Sequence, residues 1–209
     1  MEFDHLDRIP ETSLYSATFF ERDPREVARD LLGQCMVSNS GGELTGGLIV
    51  ETEAYLSSDD TASHSVRGPT KKNRSMFGQP GIGYVYVIHA RHCFNVVTES
   101  SGIGSAVLIR ALQPTWGVEQ IRERRLNRNR REWTTGPARL CEALAIDRSL
   151  DGDDLTCKGG VWLQPSSIAR TSIDMLTTPR IGVTSAKELP YRYLVPNCDF
   201  ASGPKRLRQ

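Results

Sequence analysis

The chain has 209 residues, of which 38% are apolar and 24% charged, with a mean hydropathy of −0.38. That length suits one domain with a sizeable core, and the composition excludes collagen-like and low-complexity chains. The net charge of +1 hides an asymmetry: residues 1–60 carry 4 basic and 13 acidic side chains, whereas residues 61–209 carry 22 and 12.

The chain opens MEFDHLDRIPE, acidic and without a basic n-region, and no apolar run reaches the roughly 18 residues of a spanning helix. Neither secretion nor a membrane span is expected, and residues 1–12, with His5, are expected to form a flexible N-terminus ahead of a single domain over 13–209. Asp23-Pro24 before REVARDLLG predicts a helix with Asp23 as N-cap and Pro24 at its first position, ended by Gly33. A strand pair follows at 35–38 and 47–56, joined by the turn-prone NSGGE. Further strands are predicted over 84–90, continuing after a break to Thr98, and over 106–112. Thr115–Arg131 and Gly136–Ala145 read as helices. Strands clustered between helices predict an α+β fold: a single domain on a curved, largely antiparallel sheet flanked by helices. The five cysteines are widely spaced and never CxxC, which reads as reduced thiols.

Strand periodicity sorts the polar groups by face. In LIVETEAYL, Leu48, Val50, Thr52, Ala54 and Leu56 form one row, and Ile49, Glu51, Glu53 and Tyr55 the other. The second row is either a solvated sheet face or a pair of working carboxylates. Tyr84, Tyr86 and Ile88 share a face, with His89 opposite. Arg110 falls in an apolar row with Ala106, Leu108 and Leu112, which is costly unless it meets a carboxylate, Glu51 or Glu53. Such a pair either fixes register or holds a carboxylate that can orient a water. His89 and His92 have HxxH spacing, but residues three apart on a strand diverge and no third ligand follows at a familiar interval, so no metal site is expected. The basic runs IRERRLNRNRR and KRLR suit a phosphate polymer through counterion release, or simply solvated faces.

IVETEAYL with a histidine nine residues on, NRSMFGQPG, YVYVI followed by CFN, AVLIRAL, GPARLCEALAI and PRIGVT stand in order along the chain. Together they resemble the alkyladenine (3-methyladenine) DNA glycosylase family of the vertebrate type, from about Ala17 to Val195. The resemblance implies a monofunctional N-glycosylase of base-excision repair that flips alkylated or deaminated purines, such as 3-methyladenine, hypoxanthine and ethenoadenine, out of duplex DNA and leaves an abasic site. It implies no cofactor, a monomer, and residence in the cytoplasm on the nucleoid of a bacterium or in the nucleus of a eukaryote. It makes Glu53 the general base and Arg110 the holder of the attacking water, with His64 adding a backbone contact to that water. Tyr55, Tyr86 and His64 enclose the base, Asn95 clashes with the 2-amino group of guanine, and Arg74 and Arg139 meet the DNA backbone. The family's wedge tyrosine is replaced here by His89, in a segment one residue shorter, and Gly102–Ser105 is longer than usual. A non-catalytic nucleic-acid binder and a metal-dependent hydrolase using His89, His92 and Glu53 are the rival readings.

Overall fold

A computed structural model of the chain describes residues 8–126 and 128–208. Most of the expected flexible N-terminus, with His5, lies outside the described residues. Ile9 packs on an apolar cluster, and the Gln164 side chain donates to the Pro10 carbonyl at 2.6 Å and to Thr12 Oγ1 at 3.1 Å.

The strands are β1 (Cys35–Ser38), β2 (Thr45–Tyr55), β3 (Gly83–Ile88), β4 (Arg91–Thr98), β5 (Ser105–Trp116), β6 (Val161–Gln164), β7 (Leu176–Thr178) and β8 (Arg192–Leu194). They form one antiparallel sheet in the order β3-β4-β5-β2-β1-β6, with β8 bridging β2 and β7. The helices are α1 (Ala17–Phe20), α2 (Pro24–Asp30), α3 (Val118–Arg124) and α4 (Pro137–Ala143). The α+β single domain read from the sequence is therefore the observed architecture.

β2 is the axis of the molecule. One edge pairs with β5 along its length, while the other is shared between β1, over Thr45–Leu48, and β8, over Glu51–Glu53. Two glycines permit this crowding: a Cβ on Gly47 would sit 1.9 Å from the Gln113 carbonyl, and one on Gly46 would sit 2.3 Å from the Met36 carbonyl. α2 is capped as predicted, the Asp23 carboxylate accepting from Arg25 N at 2.7 Å, and Thr52 Oγ1 donates to the Ala28 carbonyl to tie this helix to β2. Phe20, Val27, Leu31, Val85, Phe94 and Leu140 belong to the main core, and Leu48, Val50, Ile173, Val195 and Phe200 to a second cluster.

Three elements depart from the sequence reading. Helix 115–131 is short: β5 runs on to Trp116, Gly117 turns the chain at φ 62°, and α3 stops at Arg124. Arginines 124 and 128 would repel at i,i+4, and Arg125 instead turns in to pair with Glu142. The strand over 84–90 ends at Ile88. His89 (φ 47°) and Ala90 (φ 60°) make a two-residue, type I′ turn between paired Ile88 and Arg91, so His89 lies at a hairpin tip and strand alternation does not assign it a face. Finally, β2 and β5 carry register shifts around Val50 and Arg110: Ile49 faces Leu112, Glu51 faces Ala111 and Thr52 faces Ile109. The rows change partners there. Ile49 and Leu112 join Ala54 in the main core, while Leu48 and Val50 join the second cluster.

Neither residue of the hairpin tip is the glycine or asparagine that a left-handed backbone favours. Ala90→Gly is expected to raise stability by up to about 1 kcal/mol, read as a higher urea midpoint at unchanged slope.

Candidate active site

The hairpin, the end of β2 and two loops enclose a cavity of about 360 Å³. Alternation along β3 points Tyr84, Tyr86 and Ile88 into it, and Asn95, paired with Tyr84 across the hairpin, joins them. Tyr55 closes it from β2, with Thr61–His64 on one side and Gly182–Ser185 on another.

His64 and the tyrosines are mutually oriented. His64 Nδ1 lies 2.9 Å from the Tyr84 hydroxyl, and its ring stands edge-on to Tyr86 at 4.5 Å and 85°. Burial pushes the imidazole below its ordinary value, which favours the neutral ring, and burial likewise pushes the phenols of Tyr84 and Tyr86 up. The Asn73 side chain donates to the carbonyls of His64 (2.9 Å) and Gly68 (3.1 Å) and fixes the turn that carries the histidine. Asn95 Nδ2 donates to the Tyr84 carbonyl at 2.9 Å.

Behind Tyr55 lies a fully buried carboxylate. Glu53 Oε2 accepts from the Tyr55 hydroxyl at 2.8 Å and from Arg110 Nη1 at 3.2 Å, and Oε1 accepts from the Ile181 amide at 2.9 Å. The same guanidinium reaches Glu51 Oε1 through Nε at 3.1 Å. Arg110 thus meets both carboxylates that the strand pattern offered. Burial works against its charge, but Glu53 and Glu51 outweigh that and hold the guanidinium protonated above its ordinary range. The two glutamates are completely covered, so the solvated-face reading of this row does not hold.

The remaining sequence candidates lie elsewhere. His89 is exposed at the hairpin tip and Arg74 is exposed on a short 3-10 turn. Arg139, half-buried, pairs with Glu132 at 3.4 Å and lines a recess of about 290 Å³ with Arg91, Arg125 and Arg128. Among the described residues no group of three His, Cys, Asp or Glu could hold a metal ion, so His89, His92 and Glu53 form no such set.

Other contributors went unread. Arg180 makes a two-pronged, fully buried pair with Asp60 (2.6 and 2.7 Å) and lies 4.6 Å over the Tyr55 ring. Arg192 and Ser202 complete the surroundings of Glu51. Arg180 stands in the PRIGVT motif, but nothing local names the partner of any of the three, because each lies more than a hundred residues from its carboxylate.

A family model of methylpurine-DNA glycosylase (MPG) matches residues 18–199. The chain belongs to the methylpurine-DNA glycosylase family. It is 50% identical over 210 residues to a Rhodopirellula baltica protein, covering 97% of this chain and 90% of that one. A Carboxydothermus hydrogenoformans protein is 44% identical over 185 residues (88% and 96% covered), and a Koribacter versatilis protein 41% over 198 (90% and 93%). All three carry the name "Putative 3-methyladenine DNA glycosylase". This glycosylase is accordingly a hydrolase of N-glycosyl bonds whose substrate is DNA, and the family resemblance read from its motifs holds. None of its described helices is long and apolar enough to cross a membrane.

An aromatic slot of this kind takes a flat ring and suits a cationic one further, because the ring faces are electron-rich. A carboxylate beneath such a slot, held by an arginine, a phenol and a backbone amide, has the geometry to accept a proton.

Proposed function

We propose that this glycosylase is monofunctional, acts as a monomer on duplex DNA, and excises alkylated or deaminated purines of the 3-methyladenine, hypoxanthine and ethenoadenine class, leaving an abasic site. The observation that carries this reading is the Glu53 carboxylate, fully buried yet bonded to the Tyr55 hydroxyl that borders the aromatic cavity.

A base inside the helix cannot reach such a cavity and must be flipped, at a cost of a few kcal/mol that is smallest for badly paired lesions. Tyr55, Tyr86 and His64 receive it, and Asn95 rejects guanine through its 2-amino group. Arg110 holds the water and, with Tyr55 and Ile181 N, keeps Glu53 in place. The His64 carbonyl supplies a backbone contact to that water. The oxygen bonds to C1′ as the C1′–N bond breaks, the bonding pair leaves with the base, and the proton passes to Glu53. A cationic alkylated purine departs neutral, whereas hypoxanthine departs as an anion that then gains a proton. Among the described residues no lysine lines the cavity to form an imine, in keeping with hydrolysis without strand cleavage. Arg74 and the recess around Arg139 meet DNA phosphates, and the exposed His89 fills the gap left by the flipped base.

Incubation with duplexes carrying one hypoxanthine, ethenoadenine or 3-methyladenine, in chelator, should give cleavage at the lesion only after alkali and no borohydride-trapped adduct. No cleavage and no lesion binding with any of the three would overturn the reading. His89→Ala is expected to slow single-turnover excision roughly ten- to hundredfold, the equivalent of one lost base-stacking contact at ~1–3 kcal/mol. An unchanged rate would move the wedge elsewhere on the hairpin.

A further inference from the structure

Glu51 is a fully buried titratable group that the mechanism above does not use. It lines neither of the two cavities described above, yet its carboxylate accepts four hydrogen bonds. Oε1 accepts from Arg110 Nε (3.1 Å), Arg192 Nε (2.6 Å) and Ser202 Oγ (2.9 Å), and Oε2 accepts from the Ser202 amide (2.6 Å). Arg192 is itself fully buried and donates onward to Thr178 Oγ1, the Leu207 carbonyl and the Ser202 carbonyl. A second buried glutamate with its own arginine is a poor device for stability alone, since an apolar pair of equal volume commonly does as well.

We propose that Glu51 is a positioning residue for the glycosylase reaction: by holding the Nε edge of Arg110, it limits how much of the guanidinium's charge is presented to Glu53. The inference rests on Glu53 being the base. An arginine facing a lone carboxylate offers a two-pronged fork. Here the fork is split. Glu51 takes Nε, Glu53 receives Nη1 alone, and Nη2 turns to Ser202 Oγ at 3.3 Å. Two glutamates and two arginines leave the cluster neutral, so Glu53 is fixed in place without being surrounded by net positive charge that would weaken it as a base.

The groups facing Glu53 are Tyr55 on its own strand, Arg110 on β5, Arg192 across from it on β8, Tyr86 and Cys93 on the hairpin, and Arg180. Burial pushes both phenols and the Cys93 thiol up, away from neutral pH. His64, whose burial lowers it, adds its own protonation to the acid side in wild type and variants alike.

The sign then follows from charge. Glu51→Gln leaves the cluster with one excess positive charge, so the acid limb of the rate profile moves to lower pH. The plateau falls too, because the carboxylate is a weaker base. Arg192→Gln leaves an excess negative charge and moves the limb the other way.

The test is single-turnover excision of hypoxanthine from pH 5 to 9 by wild type, Glu51→Gln, Glu51→Asp, Arg192→Gln and Glu53→Gln. The expected result is a shift of about one pH unit down for Glu51→Gln and up for Arg192→Gln, with a plateau loss of roughly tenfold or more in the first. Glu51→Asp, which keeps the charge, should retain the wild-type limb. Either Gln variant suffices if the other fails to fold, because the predicted signs are opposite. A limb that stays fixed while rates fall equally at every pH would overturn the proposal and leave Glu51 with a packing role. If Glu53→Gln still excises, the assignment of Glu53 as base fails instead, a result separable from the first.

Discussion

Glu53→Gln is expected to bind lesion-bearing duplex as wild type does and to lose more than about a thousandfold in single-turnover excision. Two effects add. The amide cannot take the water's proton, and positioned general bases are worth about 10²–10⁴ in rate. The substitution also removes a negative charge from a fully buried cluster, leaving Arg110 paired only with Glu51 beneath a sugar that gains positive charge as its base departs. The loss should be larger for hypoxanthine than for a cationic methylpurine, whose departure needs less help. Folding should survive, because Arg110 keeps Glu51 and the Ile181 carbonyl as acceptors. Gel-shift and alkali cleavage on the same samples check this. Residual excision within tenfold of wild type would remove Glu53 from proton transfer.

Much of this arrangement was legible because strand alternation is a strong geometric rule. It placed Glu51, Glu53 and Tyr55 together, Tyr84, Tyr86 and Ile88 together, and required a carboxylate for Arg110; the observed contacts agree. It failed where the backbone leaves the ideal. Register shifts at Val50 and Arg110 exchanged Ile49 and Leu112 between faces, with no residue there to mark a bulge. The hairpin tip was misread because His-Ala carries none of the glycine or asparagine that normally marks a type I′ turn. The arginine-rich stretch after Gly117 looked helical by composition, although its like charges limit a helix. Long-range partners were unreadable in principle. Arg192 and Ser202 reach Glu51, and Gly182–Ser185 reach the cavity, only through the fold of the C-terminal third, whose short strands β6, β7 and β8 gave no periodic signal.

The same long-range logic makes Arg180→Met the substitution expected to cost the most stability, about 3–5 kcal/mol. Arg180 and Asp60 are a second buried ion pair, separate from the Glu51–Arg110–Glu53 cluster, with both side chains fully covered. Asp60 also accepts from the amides of Leu56 (3.0 Å) and Ala62 (3.2 Å), so it folds the loop that delivers His64. Arg180 in addition donates to the Ala54 carbonyl at 2.9 Å and backs the Tyr55 ring. Removing the guanidinium strands a buried carboxylate, and the loop must open to hydrate it. The loss should appear as a lower urea midpoint, and Asp60→Ala in the same chain should recover part of it, since no unpaired charge then remains. Because the loop forms one wall of the cavity while Glu53 keeps all three of its hydrogen-bond donors, lesion binding should suffer more than the rate at saturation. A variant that lost saturated rate and kept its affinity would show that Arg180 acts on Glu53 directly, through the charge it contributes near that carboxylate, and not by shaping the pocket.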